Sequence, residues 1–447
     1  MEKIVLIGGG VATKGFLTAA LDFYEGLDIT VIRQYKRSPV PCGIPYSIGT
    51  LESSEDNISP DKNFEGQGVK FIFDVVTSVD KENKIVNMKG GENLPYDKLI
   101  FATGTVPFTP PIPGIDLENV VSVRKDVDYV CELKKKVDAA KNIVVIGGGF
   151  IGVELADEFT KLEGKNVSIV ELARNCLSQA FDVEYCEAIE SDLRESGITL
   201  YTSTGVSEFL GDGKVESVLL STGEKIEADL VFLNIGARPL VSLADEMGLK
   251  LTERKSIAVD KFLRTSEKDV MAIGDCAQKR DFFNGNEGGP LLASVAAREG
   301  RMAAANLFEA NYPLSPEGSV SVFATAVRDN YYSAAGITAE AAARYGYEYE
   351  VINVEASDKH PATLPGSRTV KGKFVFAKKS GELLGVQFSG NVQVAEMANM
   401  IGYAIQHKST ARDLFDNVYG THPLSTSSPV HYIIHVAAQK MMANFFK

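Results

Sequence analysis

Two stretches of the chain read almost alike: KIVLIGGG at residues 3–10 and NIVVIGGG at residues 142–149. Each is a short run rich in β-branched residues, followed by glycines and then by a helical pattern. A strand that turns through glycines into a helix typically opens a βαβ unit that binds a dinucleotide, because the helix N-terminus stabilises the pyrophosphate charge. One copy alone would be weak support, and its repetition makes the interpretation much stronger.

The second copy has the complete glycine pattern. Gly147 permits the tight turn, Gly149 lets the pyrophosphate approach the backbone, and Gly152 lets helix and strand pack closely. The next strand, NVSIVE, ends in Glu171, where an acid accepts hydrogen bonds from ribose hydroxyls and repels a 2′-phosphate. This copy therefore predicts NADH binding, although Arg174 is close enough in sequence to receive a 2′-phosphate instead.

The first copy departs from this pattern. Gly8 and Gly10 are present, but Thr13 occupies the third glycine position and Gly15 follows two residues later. The second strand, DITVIR, ends in Arg33, where an acid would normally hold the ribose. We still predict dinucleotide binding here, and the way in which the adenosine is held stays open.

Two further strand ends favour a flavin dinucleotide at the first copy. Residues 96–104 read YDKLIFATG, and residues 268–276 read KDVMAIGDC. Asp275, at the end of the second of these strands, is placed to accept a hydrogen bond from a ribityl hydroxyl beside the pyrophosphate. The combination predicts FAD as the cofactor of this part of the chain.

Length, charge and cysteine usage bound the remaining function classes. The chain has 447 residues, typical of about three domains. Its 46 basic and 59 acidic residues leave a net charge of −13, which argues against nucleic-acid partners. We find no apolar run long enough for a membrane span and no signal-peptide pattern. Five scattered cysteines suit a reducing compartment, so we expect a cytoplasmic protein without a membrane partner.

The last third of the chain changes character. Strand-like alternation begins near residue 318, helical patterns follow at residues 392–407 and 429–446, and no glycine fingerprint recurs. The predicted fold is α/β, with two Rossmann-like dinucleotide-binding domains and a C-terminal α+β domain. The predicted ranges are 1–112 and 242–316 for the FAD-binding domain, 113–241 for the NADH-binding domain, and 317–447 for the C-terminal dimerisation domain.

Cys42 is the candidate redox-active thiol. It lies in SPVPCGIPYSIG, residues 38–49, where prolines and glycine shape the backbone tightly. A cysteine that starts a helix has its thiolate stabilised by the helix N-terminus. No second cysteine lies nearby in sequence, so the oxidised form would be a mixed disulfide, a persulfide or a sulfenic acid. The substrate classes are therefore small disulfides, persulfides or polysulfides, peroxide, or oxygen.

Together these motifs resemble the pyridine nucleotide-disulfide oxidoreductases over essentially the whole chain. The resemblance is strongest to the single-cysteine branch of coenzyme A-disulfide reductases, NADH oxidases and NADH peroxidases. The similar cofactor segments are GGGFIGVE at residues 147–154, Ala102 to Gly104, Gly274-Asp275, and ASVAAREG at residues 293–300. CGIPY at residues 42–46 looks more like the coenzyme A-disulfide and persulfide reductases than the oxidases.

The resemblance implies further roles. By position, Phe150 matches an aromatic residue that covers the flavin until nicotinamide displaces it. The resemblance also implies a homodimer in which the C-terminal domain of one chain reaches the cysteine of the other. Tyr419 and His422 would then stand near the partner subunit's Cys42, and either could donate a proton to the departing thiolate.

Four departures qualify the substrate. Pro41 precedes Cys42 where coenzyme A-disulfide reductases usually have Asn, and Thr363 and Leu364 stand where tyrosines are usual. Residues 10–13 read GVAT and lack the histidine that oxidases and peroxidases carry in the first glycine turn. Glutathione reductase-like relatives have an acid shortly after the matching His-Pro segment, and no acid follows His422-Pro423 at that place. These differences weaken the oxidase and peroxidase interpretations and leave coenzyme A open as the substrate.

The sequence therefore predicts hydride transfer from NADH to FAD and reduction of a small sulfur substrate bonded to Cys42, such as coenzyme A-disulfide or coenzyme A-persulfide. Two alternatives stay open: an NADH oxidase that reduces oxygen, and an NADH-dependent reductase of a small electron-transfer protein. The predicted catalytic residues are Cys42, Tyr419 and His422, and no metal ligand is predicted. The predicted cofactor-binding residues are Gly8, Gly10, Arg33, Ala102, Thr103, Gly104, Gly147, Gly149, Phe150, Gly152, Glu154, Glu171, Gly236, Asp275, Ala293 and Ala297.

Overall fold

The structure is a computed structural model that describes residues 2–315 and 317–446. Met1, Pro316 and Lys447, which stand at ends of the predicted domain ranges, lie outside the described residues. The helices of the described residues are, in chain order, α1 (Val11–Phe23), α2 (Lys62–Glu65), α3 (Val127–Ala139), α4 (Phe150–Thr160), α5 (Val183–Glu195), α6 (Ser242–Glu246), α7 (Ala293–Ala305), α8 (Ala339–Arg344), α9 (Gln393–Gln406), α10 (Ala411–Asp416) and α11 (Ile433–Ala443).

Short strands alternate with these helices. In chain order they are β1 (Lys3–Ile7), β2 (Asp28–Arg33), β3 (Lys70–Phe73), β4 (Val76–Asp80), β5 (Ile85–Met88), β6 (Asn93–Pro95), β7 (Lys98–Phe101), β8 (Thr105–Pro107), β9 (Val120–Val121), β10 (Asn142–Ile146), β11 (Asn166–Val170), β12 (Thr199–Tyr201), β13 (Val206–Leu210), β14 (Ser217–Leu220), β15 (Lys225–Glu227), β16 (Leu230–Leu233), β17 (Ala237–Pro239), β18 (Val270–Ala272), β19 (Val322–Val327), β20 (Asn330–Gly336), β21 (Tyr349–Ser357), β22 (Thr369–Ala377) and β23 (Leu383–Gly390).

The chain forms two compact units. The first unit comprises the described residues up to Pro111, together with Ser122–Ala139 and Ile235–Ser319. The second unit comprises Ile112–Val121, Ala140–Asn234 and the described residues from Val320 onward. Residues 122–139, which include α3, thus belong to the first unit although they lie inside the predicted range 113–241. The predicted domain ranges stay predictions.

A parallel sheet in the order β18-β7-β1-β2-β3 forms the centre of the first unit. Successive residues of a strand point to opposite faces, so β1 contributes to two cores. Ile4 and Leu6 belong to a buried cluster with residues of α1 and α7, and Val5 and Ile7 belong to a second cluster that includes residues of β5. Burial on both faces explains why β1 reads as an uninterrupted apolar run.

The second unit repeats this arrangement. Its parallel sheet has the order β12-β11-β10-β16-β9, and β10 pairs with β11 as β1 pairs with β2. The repeat found in the sequence is therefore a repeat of structure, and two Rossmann-like sheets are present as predicted. An antiparallel sheet, β13-β14-β15, extends this part of the chain.

The C-terminal part of the second unit is an antiparallel sheet, in the order β19-β20-β23-β22-β21, packed with α9 and α11. This confirms the predicted α+β domain and, with the two parallel sheets, the predicted α/β fold class. The sequence pattern did not show β20, because this central strand is buried along most of its length and has no apolar–polar alternation.

The final helix is shorter than its sequence pattern. Residues 433–443 form α11, and single 3₁₀ turns flank it. Ile433, Ala437 and Met441 are buried, whereas Val430 and Phe445, which share the same sequence spacing, are 77% and 48% exposed. The apolar face of the helix is thus packed within the chain, and the side chains of Val430 and Phe445 remain exposed on either side of it. No helix in residues 2–315 or 317–446 is both long and apolar enough to cross a membrane.

A buried ionic cluster connects the parts of the second unit. Asp182 caps α5, and its carboxylate accepts hydrogen bonds from Gln387 Nε2 at 2.7 Å and from the Ala339 amide at 3.1 Å. Lys373 Nζ lies 2.8 Å from the same carboxylate, and both side chains are at most 10% exposed. Burial raises the pKa of Asp182, but the hydrogen bonds from Lys373 and Gln387 outweigh it, so the pKa lies below its usual value.

We expect Asp182→Ala to destabilise the second unit by about 1–3 kcal/mol, because Gln387 and the Ala339 amide lose their acceptor while Lys373 keeps Glu184 as its remaining ion-pair partner. Because the carboxylate has a lowered pKa in the folded state, its contribution is present above its unfolded pKa and is lost as the pH falls through the folded value. Urea denaturation of the wild type and of the variant at pH 7, and of the wild type at descending pH below about 4, measures both effects. Asp212→Ala, at an exposed loop position, is the control, and equal denaturation midpoints for the two variants would refute the assignment.

Candidate functional site

The first glycine turn is shaped by a close approach of two backbones. Gly8 has φ +112°, and a Cβ there would lie 2.2 Å from the Ala102 carbonyl oxygen at the end of β7. Gly10 caps α1, and a Cβ there would meet no atom within 4 Å. The first glycine is therefore required by the neighbouring strand, and the second leaves open space in front of the helix N-terminus where a phosphate fits.

Thr13 stands at the third position of this turn, where the pattern has a glycine. Thr13 is buried, and its hydroxyl donates a 2.6 Å hydrogen bond to the Gly8 carbonyl oxygen. Gly15 instead serves the contact between α1 and α7, because a Cβ there would lie 2.5 Å from the Ala297 carbonyl oxygen. A hydroxyl that bonds to the turn thus replaces a glycine that would pack against it.

The predicted strand ends meet this turn. Gly274 has φ +71°, and a Cβ there would lie 2.9 Å from Ala12 Cβ and 3.7 Å from Ala296 Cβ. The Gly274-Asp275 turn therefore lies between the starts of α1 and α7. Asp275 Oδ1 is buried and makes no hydrogen bond with any residue of the described ranges. An acceptor in this position fits a ribityl hydroxyl, so these residues are compatible with FAD.

The remaining predicted residues of the first unit have backbone roles around this site. The Thr103 hydroxyl donates to the Leu240 carbonyl oxygen at 2.6 Å, and Gly104 has φ +69° with open space where a Cβ would stand. Ala293 begins α7, whose N-terminus is near the Gly274 turn. Gly236 has φ +99° and accepts a hydrogen bond from the Phe108 amide at 2.9 Å. Their contacts with a cofactor stay predictions.

A buried ion pair that the sequence did not indicate supports the Asp275 turn. Glu299 on α7 accepts a hydrogen bond from the Gly274 amide at 2.8 Å. Lys279 Nζ lies 3.0 Å from Glu299 and also donates to the Gly274 carbonyl oxygen at 2.5 Å. The two residues are 20 positions apart and belong to no local motif, so only the fold reveals their association.

Arg33 does not point into open solvent. It is 6% exposed, its guanidinium carbon stands 5.4 and 5.3 Å from the ring centroids of Phe71 and Phe73, and it forms an ion pair with Asp61. Its Cδ would lie 2.5 Å from a Cβ at Gly9, so the side chain crosses the glycine turn. Arg33 thus lies against the first glycine turn, and its contact with an adenosine stays a prediction.

The second glycine turn has the geometry expected from its sequence. Gly147 has φ +102°, Gly149 caps α4 with open space at its Cβ position, and a Cβ at Gly152 would lie 2.0 Å from the Gly147 carbonyl oxygen. The carboxylate of Glu171 accepts from the Gly148 amide at 2.5 Å and from the Ala173 amide at 2.6 Å. These bonds orient an acid beside the turn, where it fits the hydroxyls of an adenosine ribose.

Phe150 and Glu154, on α4, both contact the C-terminal sheet within the second unit. The Phe150 ring stacks on Phe323 at a centroid distance of 5.0 Å and an interplanar angle of 17°. Glu154 Oε1 accepts a hydrogen bond from the Thr325 hydroxyl at 3.0 Å. Burial raises the pKa of Glu154 to about 7, although the Thr325 hydrogen bond opposes the shift. Glu154 is therefore able to change its charge near neutral pH.

Cys42 occupies a 3₁₀ turn, Pro41–Gly43, rather than the start of a regular helix. Its side chain is exposed. A Cβ at Gly43 would lie 2.2 Å from Asn57 Oδ1, and Asn57 Nδ2 donates to the Val40 carbonyl oxygen at 3.0 Å. Lys134 Nζ donates to the Ile48 carbonyl oxygen at 2.7 Å. Contacts from distant segments thus fix the backbone on which the thiol is carried.

The other cysteines have a different environment. Cys176, Cys186 and Cys276 are buried, and burial raises the pKa of each of their thiols, to about 12 for Cys176 and Cys186. Burial also raises the pKa of the half-buried Cys131. A thiol with a raised pKa is a poor nucleophile, because little of it is thiolate near neutral pH. These four cysteines are therefore poorer candidates than the exposed Cys42.

The two C-terminal candidates differ in their surroundings. Tyr419 is half-buried, stacks on Tyr432 at 4.7 Å and meets His435 edge-on at 4.6 Å, and burial raises its pKa. His422 is exposed, and its Nδ1 accepts a 3.3 Å hydrogen bond from the Leu424 amide. With Nδ1 acting as acceptor, the neutral imidazole carries its proton on Nε2. The catalytic roles of both residues stay predictions.

A loop near His422 contains a histidine that the sequence reasoning passed over. His360 Nδ1 lies 2.9 Å from the Thr426 carbonyl oxygen, and the His360 amide donates to the Pro423 carbonyl oxygen at 3.0 Å. Residues 357–367 and 421–427 are therefore joined, and they include Thr363, Leu364 and His422. Across residues 2–315 and 317–446, no group of three or more His, Cys, Asp or Glu side chains is arranged to hold a metal ion.

Comparison with known proteins agrees with this geometry. Residues 2–300 match the family model "Pyridine nucleotide-disulphide oxidoreductase", and residues 322–432 match its dimerisation domain. The chain is 32% identical to an NADH oxidase of Streptococcus pneumoniae, over 92% of this chain and 93% of that protein. It is 30% identical to an NAD(P)H coenzyme A polysulfide/persulfide reductase of Pyrococcus horikoshii, over 87% and 88% of the two chains.

A solved structure shows the same fold over almost the full length. The NAD-dependent persulfide reductase from A. fulgidus superposes with a TM-score of 0.91 and 26% identity, covering 99% of this chain and 84% of that one. Relatives thus divide between oxidases and sulfur reductases on one common framework. The chain belongs to the pyridine nucleotide-disulphide oxidoreductase family, as an NAD(P)H-dependent flavin oxidoreductase whose cofactors are FAD and NAD(P)H.

Proposed function

We propose that this oxidoreductase is an NADH-dependent reductase of small disulfides, persulfides or polysulfides, with Cys42 as its redox-active thiol. The observation that carries the proposal is that Cys42 is exposed on a 3₁₀ turn held by Asn57, while the other four cysteines have raised thiol pKa values. The name of the Pyrococcus horikoshii relative supports a sulfur substrate bonded to coenzyme A. Coenzyme A-disulfide and coenzyme A-persulfide are therefore the first compounds to test.

When bound, FAD accepts a hydride from NADH and supplies the electron pair for the sulfur chemistry. The Cys42 thiolate attacks one sulfur of the substrate, the S–S bond breaks, and one half leaves as a thiolate or hydrosulfide while the other half stays bonded to Cys42. The electron pair from NADH then cleaves this mixed disulfide and regenerates the Cys42 thiolate. For a disulfide, each turnover consumes one NADH, one proton and one substrate, and yields NAD⁺ and two thiols.

The departing thiolate needs a proton donor. His422 is the first candidate, because an imidazolium is a common general acid near neutral pH. To act in this way its ring must carry a proton on both nitrogens, and Nδ1 then gives up the hydrogen bond that it accepts from the Leu424 amide. Tyr419 is the second candidate, although its raised pKa makes it a weaker acid. The match to a dimerisation domain supports a homodimer in which these residues serve the partner subunit's Cys42.

Oxygen reduction is the second candidate function. The Streptococcus pneumoniae relative is named an NADH oxidase, and that name favours oxygen as an acceptor. Against it, residues 10–13 contain no histidine, and Thr13 occupies its hydroxyl in a hydrogen bond to Gly8. Measuring oxygen uptake and thiol release in one NADH titration separates the two functions, because a sulfur reductase releases thiol in proportion to the NADH consumed.

Replacing the proposed nucleophile tests the thiol mechanism directly. Cys42→Ser should reduce NADH-dependent turnover of disulfide and polysulfide to the background level, because a serine hydroxyl cannot form the mixed disulfide. Bound FAD and slow NADH oxidation by an artificial dye should persist. Cys131→Ser, a half-buried cysteine of the same unit, is the matched control and should keep sulfur turnover. Full sulfur turnover by Cys42→Ser would instead favour reduction of a small electron-transfer protein.

Cofactor choice follows from Glu171. We expect NADH to be preferred over NADPH by at least about tenfold in kcat/KM, or about 1.4 kcal/mol, because a 2′-phosphate would meet a fixed carboxylate. Glu171→Gln should reduce this preference, and Arg174→Ala should leave it unchanged. The measurement is steady-state kinetics with both nucleotides. Equal efficiency of the wild type with NADH and NADPH, or loss of NADPH turnover in Arg174→Ala, would assign the phosphate to Arg174.

Mixed dimers test the shared site. Cys42→Ser and His422→Ala homodimers should each be impaired, and purified heterodimers of the two variants should regain about half of wild-type activity, since one of their two composite sites is intact. Two different affinity tags verify the heterodimer. His407→Ala, at another exposed histidine of the C-terminal part, is the control. An unimpaired His422→Ala homodimer removes His422 from the reaction, and heterodimers without recovered activity contradict a site shared between subunits.

A further inference from the structure

The two glycine turns place opposite charges at the same structural position. The Gly8 amide donates to the Ile32 carbonyl oxygen at 2.8 Å, and the Gly147 amide donates to the Val170 carbonyl oxygen at 2.8 Å. The next residue is Arg33 in the first unit and Glu171 in the second. Equal strand register therefore puts a cation where the second turn has the acid that fits ribose hydroxyls.

The two terminal nitrogens of the Arg33 guanidinium are occupied within the chain, whereas its buried Nε makes no hydrogen bond with the described residues. Nη1 donates to Ser38 Oγ at 2.8 Å, and Nη2 donates to the Lys36 carbonyl oxygen at 2.7 Å and to Asp61 Oδ2. The rings of Phe71 and Phe73 stand close to the same guanidinium. A guanidinium has no acceptor atom, so Arg33 cannot accept hydrogen bonds from ribose hydroxyls as Glu171 can. Its contacts neutralise the cation and hold Asp61 instead.

Asp61 retains an acceptor that nothing in the described residues satisfies by a hydrogen bond. Its Oδ1 is buried, and the nearest charged partner is Lys14 Nζ at 3.5 Å, an ion-pair distance. The Asp61 side chain is 14% exposed, and the Lys14 ammonium also donates to the Ser59 carbonyl oxygen at 2.8 Å. A buried carboxylate oxygen without a hydrogen bond is costly unless a ligand supplies the donor.

The two cations place this acceptor beside the first glycine turn. Lys14 lies in the first turns of α1, four residues after Gly10, and Arg33 crosses Gly9 at the end of β2. Both hold the same carboxylate, so Asp61 stands near the helix N-terminus from which a bound dinucleotide would extend. The carboxylate of Asp61 thus has the negative charge that the Glu171 carboxylate has at the second turn.

We propose that Asp61 is the hydrogen-bond acceptor for the adenosine ribose hydroxyls of FAD, and that Arg33 and Lys14 are positioning residues for its carboxylate. The acid normally found at the strand end is thus supplied from a separate segment, 28 residues after Arg33. This assignment concerns retention of the cofactor and does not depend on Cys42 or on the sulfur substrate.

The test compares FAD with its analogue that lacks the 2′-hydroxyl of the adenosine ribose. Dissociation constants are measured by titrating each flavin into the full-length, flavin-free protein and following flavin fluorescence. The wild type should bind FAD about tenfold or more tightly than the deoxy analogue, because a hydrogen bond to a charged acceptor is lost. Asp61→Asn, which keeps the shape of the side chain, should bind FAD more weakly and should lose most of this discrimination.

Glu65→Gln, at an exposed position of the same segment, is the matched control and should behave as the wild type. Circular dichroism establishes that each variant is folded. If Asp61→Asn weakens both flavins equally and keeps the discrimination, the residue is structural and the proposal is wrong. A wild type that binds both flavins equally, or a variant with unchanged affinities, also overturns it. None of these results bears on the Cys42 mechanism, because the readout is flavin binding alone.

Discussion

The close approach of backbone to backbone at the two glycine turns is the constraint on which the rest of the structure depends. At Gly8 and at Gly152 a Cβ would lie 2.2 and 2.0 Å from a carbonyl oxygen, and no side chain fits at such distances. At Gly10 and Gly149 the opposite holds, since the space at the Cβ position is open. The turns therefore bring strand and helix together while they leave room for a phosphate at the helix N-terminus.

The same backbone supports two electrostatic solutions. At the second turn a single residue, Glu171, supplies the negative charge and is oriented by two backbone amides. At the first turn the corresponding residue is Arg33, and the nearby negative charge comes from Asp61, which pairs with Arg33 and Lys14. The second turn thus needs one residue for its negative charge, whereas the first turn needs three residues held together by ion pairs. Removing one member would leave the charge of another buried without its partner, so the cluster is sensitive to the loss of any member.

The turn that carries Cys42, the proposed redox-active thiol, also depends on both local and distant contacts. Pro41 and Gly43 define a tight turn in sequence, but Asn57 contacts that turn from a later segment, and Lys134 holds the residues after it through the Ile48 carbonyl oxygen. Exposure then separates Cys42 from the buried cysteines, whose raised pKa values make them poor nucleophiles. A family framework that serves both oxidases and sulfur reductases thus leaves the choice of reaction to a few side chains.

Local patterns in consecutive residues determined the fold class and the two glycine turns, and they indicated Cys42 as the candidate thiol. Strand periodicity, left-handed glycines and a strand-end acid are properties of short segments, and the sequence contains them directly. Strand β20 was not predicted, because a strand buried on both faces shows no apolar–polar alternation. The predicted final helix was longer than α11, because the apolar spacing in the sequence continues beyond both ends of the helix. The Arg33–Asp61 pair, the Lys279–Glu299 pair and the Phe150–Phe323 stack were not predictable, because each joins residues that no local pattern relates. Only the tertiary structure decided these partners, since sheet register and helix packing determine which distant side chains come within hydrogen-bonding distance.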